Sequence, residues 1–124
     1  EYAALGVDSV IPVPLHPARL RWRGFNQALL LSRRLGRRKN IRVDPYSLKR
    51  VRYTVPQSQL TPRQRELNVK GAFAVKRRVF VDGMKILLVD DVATTCATLA
   101  ECAKVLRRAG AAAVYALTVA RPRQ

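Results

Sequence analysis

The stretch Lys85-Ile-Leu-Leu-Val-Asp-Asp91 decides the fold. Four apolar residues run without alternation and end on two carboxylates, as in a strand covered on both faces at the centre of a parallel sheet. Thr94, Thr95 and Thr98 then form a small polar loop, after which Leu99, Cys102, Ala103 and Leu106 recur at helical spacing. Gly110 stands where a helix C-terminus favours a left-handed residue. Val114 to Ala120 is a second buried strand. Strand, loop, helix and strand in that order make a βαβ crossover. The expected fold is therefore α/β, a mostly parallel sheet flanked by helices.

Upstream, Val7 to Val13 is a short apolar run closed by Pro12 and Pro14, a strand leaving the core. A basic, turn-like stretch follows from Leu15 to Gly24. Asn26 is placed to cap a helix that carries Leu29, Leu30 and Leu35 inward and turns Arg33, Arg34, Arg37 and Arg38 to solvent, fading by Asn40. Leu48 to Val55 mixes apolar and basic residues and reads as a strand. From Pro56 to Gly71 the chain is polar and without periodicity, which predicts a long loop with one helical turn near Arg63 to Asn68. Ala72 to Val75 and Val79 to Val81 read as short strands around a basic turn. No internal repeat or domain boundary shows, so residues 1–124 read as one domain.

The 124 residues are 48% hydrophobic and 26% charged, enough apolar content for a self-sufficient core and too much for a disordered chain. No apolar run approaches the roughly 20 residues of a membrane-spanning helix. The first residue is Glu1, and nothing near it resembles a signal peptide. Cys96 and Cys102 cannot supply a disulfide framework or a four-ligand zinc site alone. On one helix they would stand about 9 Å apart along the axis, so reduced thiols and a cytoplasmic location are expected. The net charge of +16 lies entirely in residues 19–78, which hold 18 Lys/Arg against Asp44 and Glu66. Such a field attracts polyanions: nucleic acid, an acidic membrane surface or a highly phosphorylated small molecule.

Ligands of parallel sheets bind beyond the carboxyl ends of the strands. Asp90 and Asp91 end the best strand, and a helix start follows within a few residues. Backbone N–H groups there, with the positive end of the helix dipole, suit a phosphate. The carboxylates suit hydroxyl groups as hydrogen-bond donors. Together they point to a sugar phosphate.

At this point the residues reach a known family. Val89-Asp-Asp-Val-Ala-Thr-Thr-Cys-Ala-Thr98 resembles the phosphoribosyl pyrophosphate signature of the type I phosphoribosyltransferases. The wider chain resembles the ComF family, the competence-protein branch of that fold. Matching segments are Val10-Ile-Pro-Val-Pro-Leu-His-Pro17, Arg23-Gly-Phe-Asn-Gln-Ala28, Pro56-Gln-Ser58 and Arg65 to Phe73, together spanning most of residues 7–121. The resemblance implies that Asp90 and Asp91 bind the ribose 2′ and 3′ hydroxyls. Ala93, Thr94, Thr95, Cys96, Ala97 and Thr98 would wrap the 5′-phosphate. His16 and Arg19 would approach the pyrophosphate, and residues 56–71 would form a flap bringing Arg63, Arg65 and Lys70. Mg²⁺ would be held by pyrophosphate and ribose oxygens, without direct protein ligation. The implied chemistry is displacement of pyrophosphate from ribose C1 by a nitrogen nucleophile.

Two departures and one rival reading accompany this. Cys96 stands where the signature usually has glycine, which lets backbone crowd a phosphate. The four-cysteine zinc ribbon that often precedes this fold in ComF proteins is not in these residues. The rival reading, from the family's link to competence and the cationic segment, is an accessory protein in DNA uptake. It would bind single-stranded DNA or competence proteins and keep a vestigial or regulatory phosphoribosyl site. A homodimer is compatible with either reading. For Trp22 and Phe25, burial under the first helix is expected ahead of stacking on bases. His16 reads alternatively as a turn or packing residue, and Cys96 has no base partner to make it a nucleophile.

Overall fold

The computed structural model describes residues 6–15, 21, 24–52, 54, 60–92 and 96–120. Four parallel strands form the main sheet in the order β2-β1-β5-β6, with β1 at Ser9–Pro12, β2 at Arg42–Val43, β5 at Lys85–Val92 and β6 at Ala113–Ala120. A smaller antiparallel pair joins β3 (Leu48–Arg50) to β4 (Phe73–Val75), with Leu48 opposite Val75 and Arg50 opposite Phe73. The helices are α1 (Gln27–Lys39), α2 (Pro62–Val69) and α3 (Ala97–Arg108).

β5 is central because its residues can be buried on both sides. Ile86, Leu87, Leu88 and Val89 are each at most 1% exposed. Ile86 and Leu88 pack with Leu99, Cys102 and Leu106 of α3 in the larger core, whereas Leu87 and Val89 join Val10 in a second cluster beside Leu31 and Leu35 of α1. The expected βαβ crossover is therefore present. Gly110 follows α3 at φ +102°, a conformation open to glycine and closed to most side chains.

α1 starts where Asn26 predicts it. The Asn26 side chain accepts from the Ala28 N–H at 3.0 Å and donates from Nδ2 to the Val13 carbonyl at 3.2 Å, tying the helix start to the end of β1. Its fully buried residues are small, Ala28, Ser32 and Gly36; of the expected leucines, Leu35 packs partly buried on the second cluster and Leu29 is half-buried. Leu30 is 52% exposed, and Leu31 and Leu35 flank the contact. The reason is close approach: a Cβ on Gly36 would lie 2.5 Å from Val43 Cγ2 and 2.7 Å from the Ile41 carbonyl oxygen.

Three further expectations need correction. Residues 62–69 form a full helix where a loop with one turn was expected. Thr61 and Gln64 close a capping box, Gln64 N–H to Thr61 Oγ1 at 3.2 Å and Thr61 N–H to Gln64 Oε1 at 2.9 Å, with Pro62 in the first turn. Val79 to Val81 is no strand: Arg78–Phe80 is a 3₁₀ turn, with Phe80 N–H bonded to the Arg77 carbonyl and Val81 N–H to that of Arg78. Phe25 is 46% exposed, against its expected burial. Trp22 lies outside the described residues. Among those described, no helix is long and apolar enough to cross a membrane.

Candidate functional site

The strand that carries the core also carries the acids out of it. Asp90 and Asp91 follow Val89 directly and remain half-buried, with Asp90 in register with Thr118 of β6. The Asp91 N–H donates to Asp90 Oδ1 at 2.9 Å. Burial, then the negative charge of Asp91 and a hydrogen bond between the two side chains, raise the Asp90 pKa from 3.8 to about 6. The backbone N–H of Asp91 and the positive charge of Arg50 oppose that rise. Two carboxylates crowded at a strand end hold more negative charge than they can solvate, so they favour donors: hydroxyl groups or a cation.

Arg50 is the site residue that the sequence did not single out. Its guanidinium lies 4.7 Å from the Phe73 ring centroid, and Nη1 donates to Thr54 Oγ1 at 3.0 Å. From β3 it faces the environment of both Asp90 and Cys102 electrostatically. In the sequence it is one of 24 basic residues, and only the β3–β4 pairing tells it apart.

Beyond β5, Ala93, Thr94 and Thr95 of the expected phosphate loop lie outside the described residues, as do His16, Arg19 and residues 56–59 of the expected flap. The loop's far end is described. Cys96 is the N-cap of α3 at φ +66°, ψ 7°, and its carbonyl accepts from the Ala100 N–H at 2.8 Å. Glycine adopts this left-handed conformation freely and other residues rarely do. A non-glycine residue there costs roughly 1–2 kcal/mol. Cys96→Gly is expected to stabilise the domain by up to about 1 kcal/mol, since part of that gain is lost to glycine's freedom in the unfolded chain. Thermal melting checks it, and an unchanged or lower midpoint contradicts it. Cys96 is exposed and Cys102 buried, and they do not bond to each other. Burial pushes the Cys102 thiol far above its ordinary pKa, leaving it an inert core residue.

Arg63 and Lys70 meet the start of α3 in a groove of about 570 Å³ between α2 and α3, lined also by Cys96, Ala97, Glu101 and Lys104. Arg65, Asp90 and Asp91 are not among its lining residues. Arg63 pairs loosely with Glu66 at 3.5 Å, with both side chains largely exposed, an interaction worth little. The C-terminal end of α2 is held more firmly. Val69 is buried in the core, Arg52 Nη2 donates to the carbonyls of Asn68 and Lys70 at 2.6 and 2.7 Å, and the Gly71 N–H donates to Glu101 Oε2 at 3.2 Å. Arg52 and Glu101 were not singled out from sequence, and nothing in their local pattern marks them.

The DNA utilization protein YhgH of Escherichia coli K12 is 42% identical over 107 residues, which is 86% of this chain and 46% of that protein. Competence protein F of Haemophilus influenzae is 40% identical over 116 residues, 92% of this chain and 50% of that one. The chain is homologous to these DNA utilization and competence proteins. It spans about half the length of the curated relatives it matches. No family model matches the sequence. Among solved structures, the glutamine phosphoribosylpyrophosphate amidotransferase of B. subtilis superimposes with a TM-score of 0.61 over 93% of this chain and 23% of its own, at 22% identity. The allosteric regulatory enzyme of purine biosynthesis gives the same score over 93% of this chain and 22% of its own. At that identity the likeness establishes the fold alone: this chain has the type I phosphoribosyltransferase architecture.

Proposed function

We propose that this domain binds phosphoribosyl pyrophosphate with Mg²⁺ and transfers the phosphoribosyl group to a nitrogen nucleophile, releasing pyrophosphate. One observation carries the reading. A half-buried carboxylate pair lies at the carboxyl end of the central parallel strand, and Cys96, in a left-handed conformation, caps the N-terminus of the helix that follows. Asp90 and Asp91 would accept from the ribose hydroxyls, while the turn and the start of α3 would hold the 5′-phosphate through Ala93 to Thr98. Arg63 and Lys70 of the α2 groove supply positive charge, as His16, Arg19 and Arg65 would, toward the leaving pyrophosphate. The C1–O bond to pyrophosphate breaks, a C1–N bond forms, and the acceptor nitrogen gives up its proton.

The donor set suits Mg²⁺ shared with the substrate. Asp90 and Asp91 form a crowded anionic pair, and no group of three His, Cys, Asp or Glu gathers into a cage among the described residues. When bound, the ion would neutralise charge building on the departing pyrophosphate. Isothermal calorimetry with phosphoribosyl pyrophosphate is expected to show binding in Mg²⁺ and none after EDTA is added. Absence of heat in Mg²⁺ would overturn the reading.

A second reading is favoured by the clustered charge and by the relatives' names: an accessory role in which the domain binds single-stranded DNA. It is compatible with the first, because one fold carries several sites.

A further inference from the structure

The cationic segment does not spread evenly over the surface. Tyr46, in the turn before β3, is 52% exposed. The Lys49 ammonium lies 5.4 Å from its ring centroid and the Arg77 guanidinium 5.3 Å. One 3₁₀ turn beyond Arg77, about 6 Å of rise, stands Phe80, with the Arg42 guanidinium 4.5 Å from its centroid. Lys76 adds an exposed charge, and its backbone N–H bonds the Ser47 carbonyl at 2.7 Å, which fixes this end of the β3–β4 pair.

Nearby acids are withdrawn. Asp44 is buried and accepts from the Tyr46 and Ser47 N–H groups, each at 3.1 Å, and from the Ser47 hydroxyl. Asp82, further along, lies beside Gly110. Exposed cation–ring contacts contribute only about 0.5–1 kcal/mol, too little to make this arrangement a requirement of the fold. The face also stands away from the carboxylate pair. Arg42 is level with Ser9 and hence with Ile86, four residues or about 13 Å along the strand from Asp90.

We infer that the face formed by Tyr46, Lys49 and Arg77, continued through Phe80 and Arg42, is a binding surface for single-stranded nucleic acid; this rests on the second reading above and gives it a place. Flat rings offer stacking surfaces to unpaired bases of any sequence, and the adjacent cations track the phosphates. Guanidinium planes stack on bases as well, so the cations over Tyr46 do not bar a base from this face. A duplex hides its bases, and a membrane surface has none. The ring-and-cation alternation therefore selects the single strand.

Fluorescence anisotropy with a labelled oligothymidylate of about 20 nucleotides tests this. Tyr46→Ala is expected to weaken binding roughly fivefold or more, and Tyr46→Phe to retain it. Lys49→Gln/Arg77→Gln is expected to flatten the salt slope by about 1.4, two phosphates at about 0.7 each. The same charge loss on α1, Arg37→Gln/Arg38→Gln, should leave both readouts near wild type. Circular dichroism and melting confirm that each variant is folded.

If the wild-type chain binds and the Tyr46 and Lys49/Arg77 variants bind equally, the location is overturned while the accessory reading survives. If wild type fails to bind even at low salt, that reading itself falls. If phosphatidylserine vesicles displace the oligonucleotide and Tyr46→Ala changes nothing, the face is a general anion surface and the proposal is wrong.

Discussion

Asp90→Asn/Asp91→Asn is expected to abolish Mg²⁺-dependent binding of phosphoribosyl pyrophosphate and, at the same time, to make the folded domain more stable at pH 8. Hydrogen bonds to charged groups are worth about 1.5–3 kcal/mol each, so losing two acceptors should weaken binding on the order of a hundredfold or more. The stability effect has the opposite sign because the carboxylates are crowded. The Asp90 pKa rises from 3.8 to about 6 on folding, so its protonated form is the one that favours the folded state. That contribution is fully present below about pH 4 and is lost as the pH climbs through about 6. Above that, ionised Asp90 costs the fold about 2 kcal/mol, allowing for its remaining solvent contact. Asparagine carries no such cost and keeps an oxygen for the Asp91 N–H bond. Melting curves of wild type and variant should therefore diverge between pH 4 and 6 and run parallel above. Ligand affinity of the wild type should fall as the pH drops below about 6, when Asp90 gains a proton. Undiminished binding by the double variant, or a lower melting midpoint at pH 8, would contradict this account.

Leu106→Ala should cost about 2–5 kcal/mol, the range for emptying a fully buried leucine site. Leu106 is 0% exposed and packs within the cluster of Ile86, Leu88 and Cys102 that joins α3 to the sheet. The same truncation at Leu30, 52% exposed on α1, should change stability by no more than about 0.5 kcal/mol. Urea unfolding followed by circular dichroism separates the two. Comparable losses at both positions would mean that α1 is packed differently from the arrangement described.

These leucines also show how far the sequence could be read. Lys85 to Asp91 and the helix after it were legible because a parallel βαβ unit buries the whole apolar run of its central strand. Val114 to Ala120 is a strand as expected, but at the sheet edge it is half-buried with Ala116 exposed, where a buried strand was expected. The start of α1 was legible because Asn26 is a side-chain cap. Its inward face was read in part: Leu35 packs on the sheet as expected, whereas Leu30 is exposed and the closest approach to β2 falls on Gly36, where a Cβ would not fit. α2 stayed hidden for the opposite reason: only Val69 is buried, so no apolar periodicity marks it. Its Thr61-Pro-Arg-Gln64 signal was readable in principle, as a capping box. Of the site, Asp90, Asp91 and the special position of Cys96 were visible in sequence. Arg50 and Arg52 were not, since β-pairing and tertiary contact alone pick them out from the other cations.

The tethering of α2 at one end also sets how its charges can travel. With Val69 seated in the core and the next two residues pinned by Arg52 and Glu101, any excursion of the helix must turn about that end. Eight residues make an arm of about 12 Å, so a swing of roughly 30° would carry the Thr61 tip about 6 Å. Arg63 rides near the tip, whereas Lys70 sits on the axle and hardly moves. Of two cations that share a groove, one is thus held in place, and the other would move with any excursion of the helix.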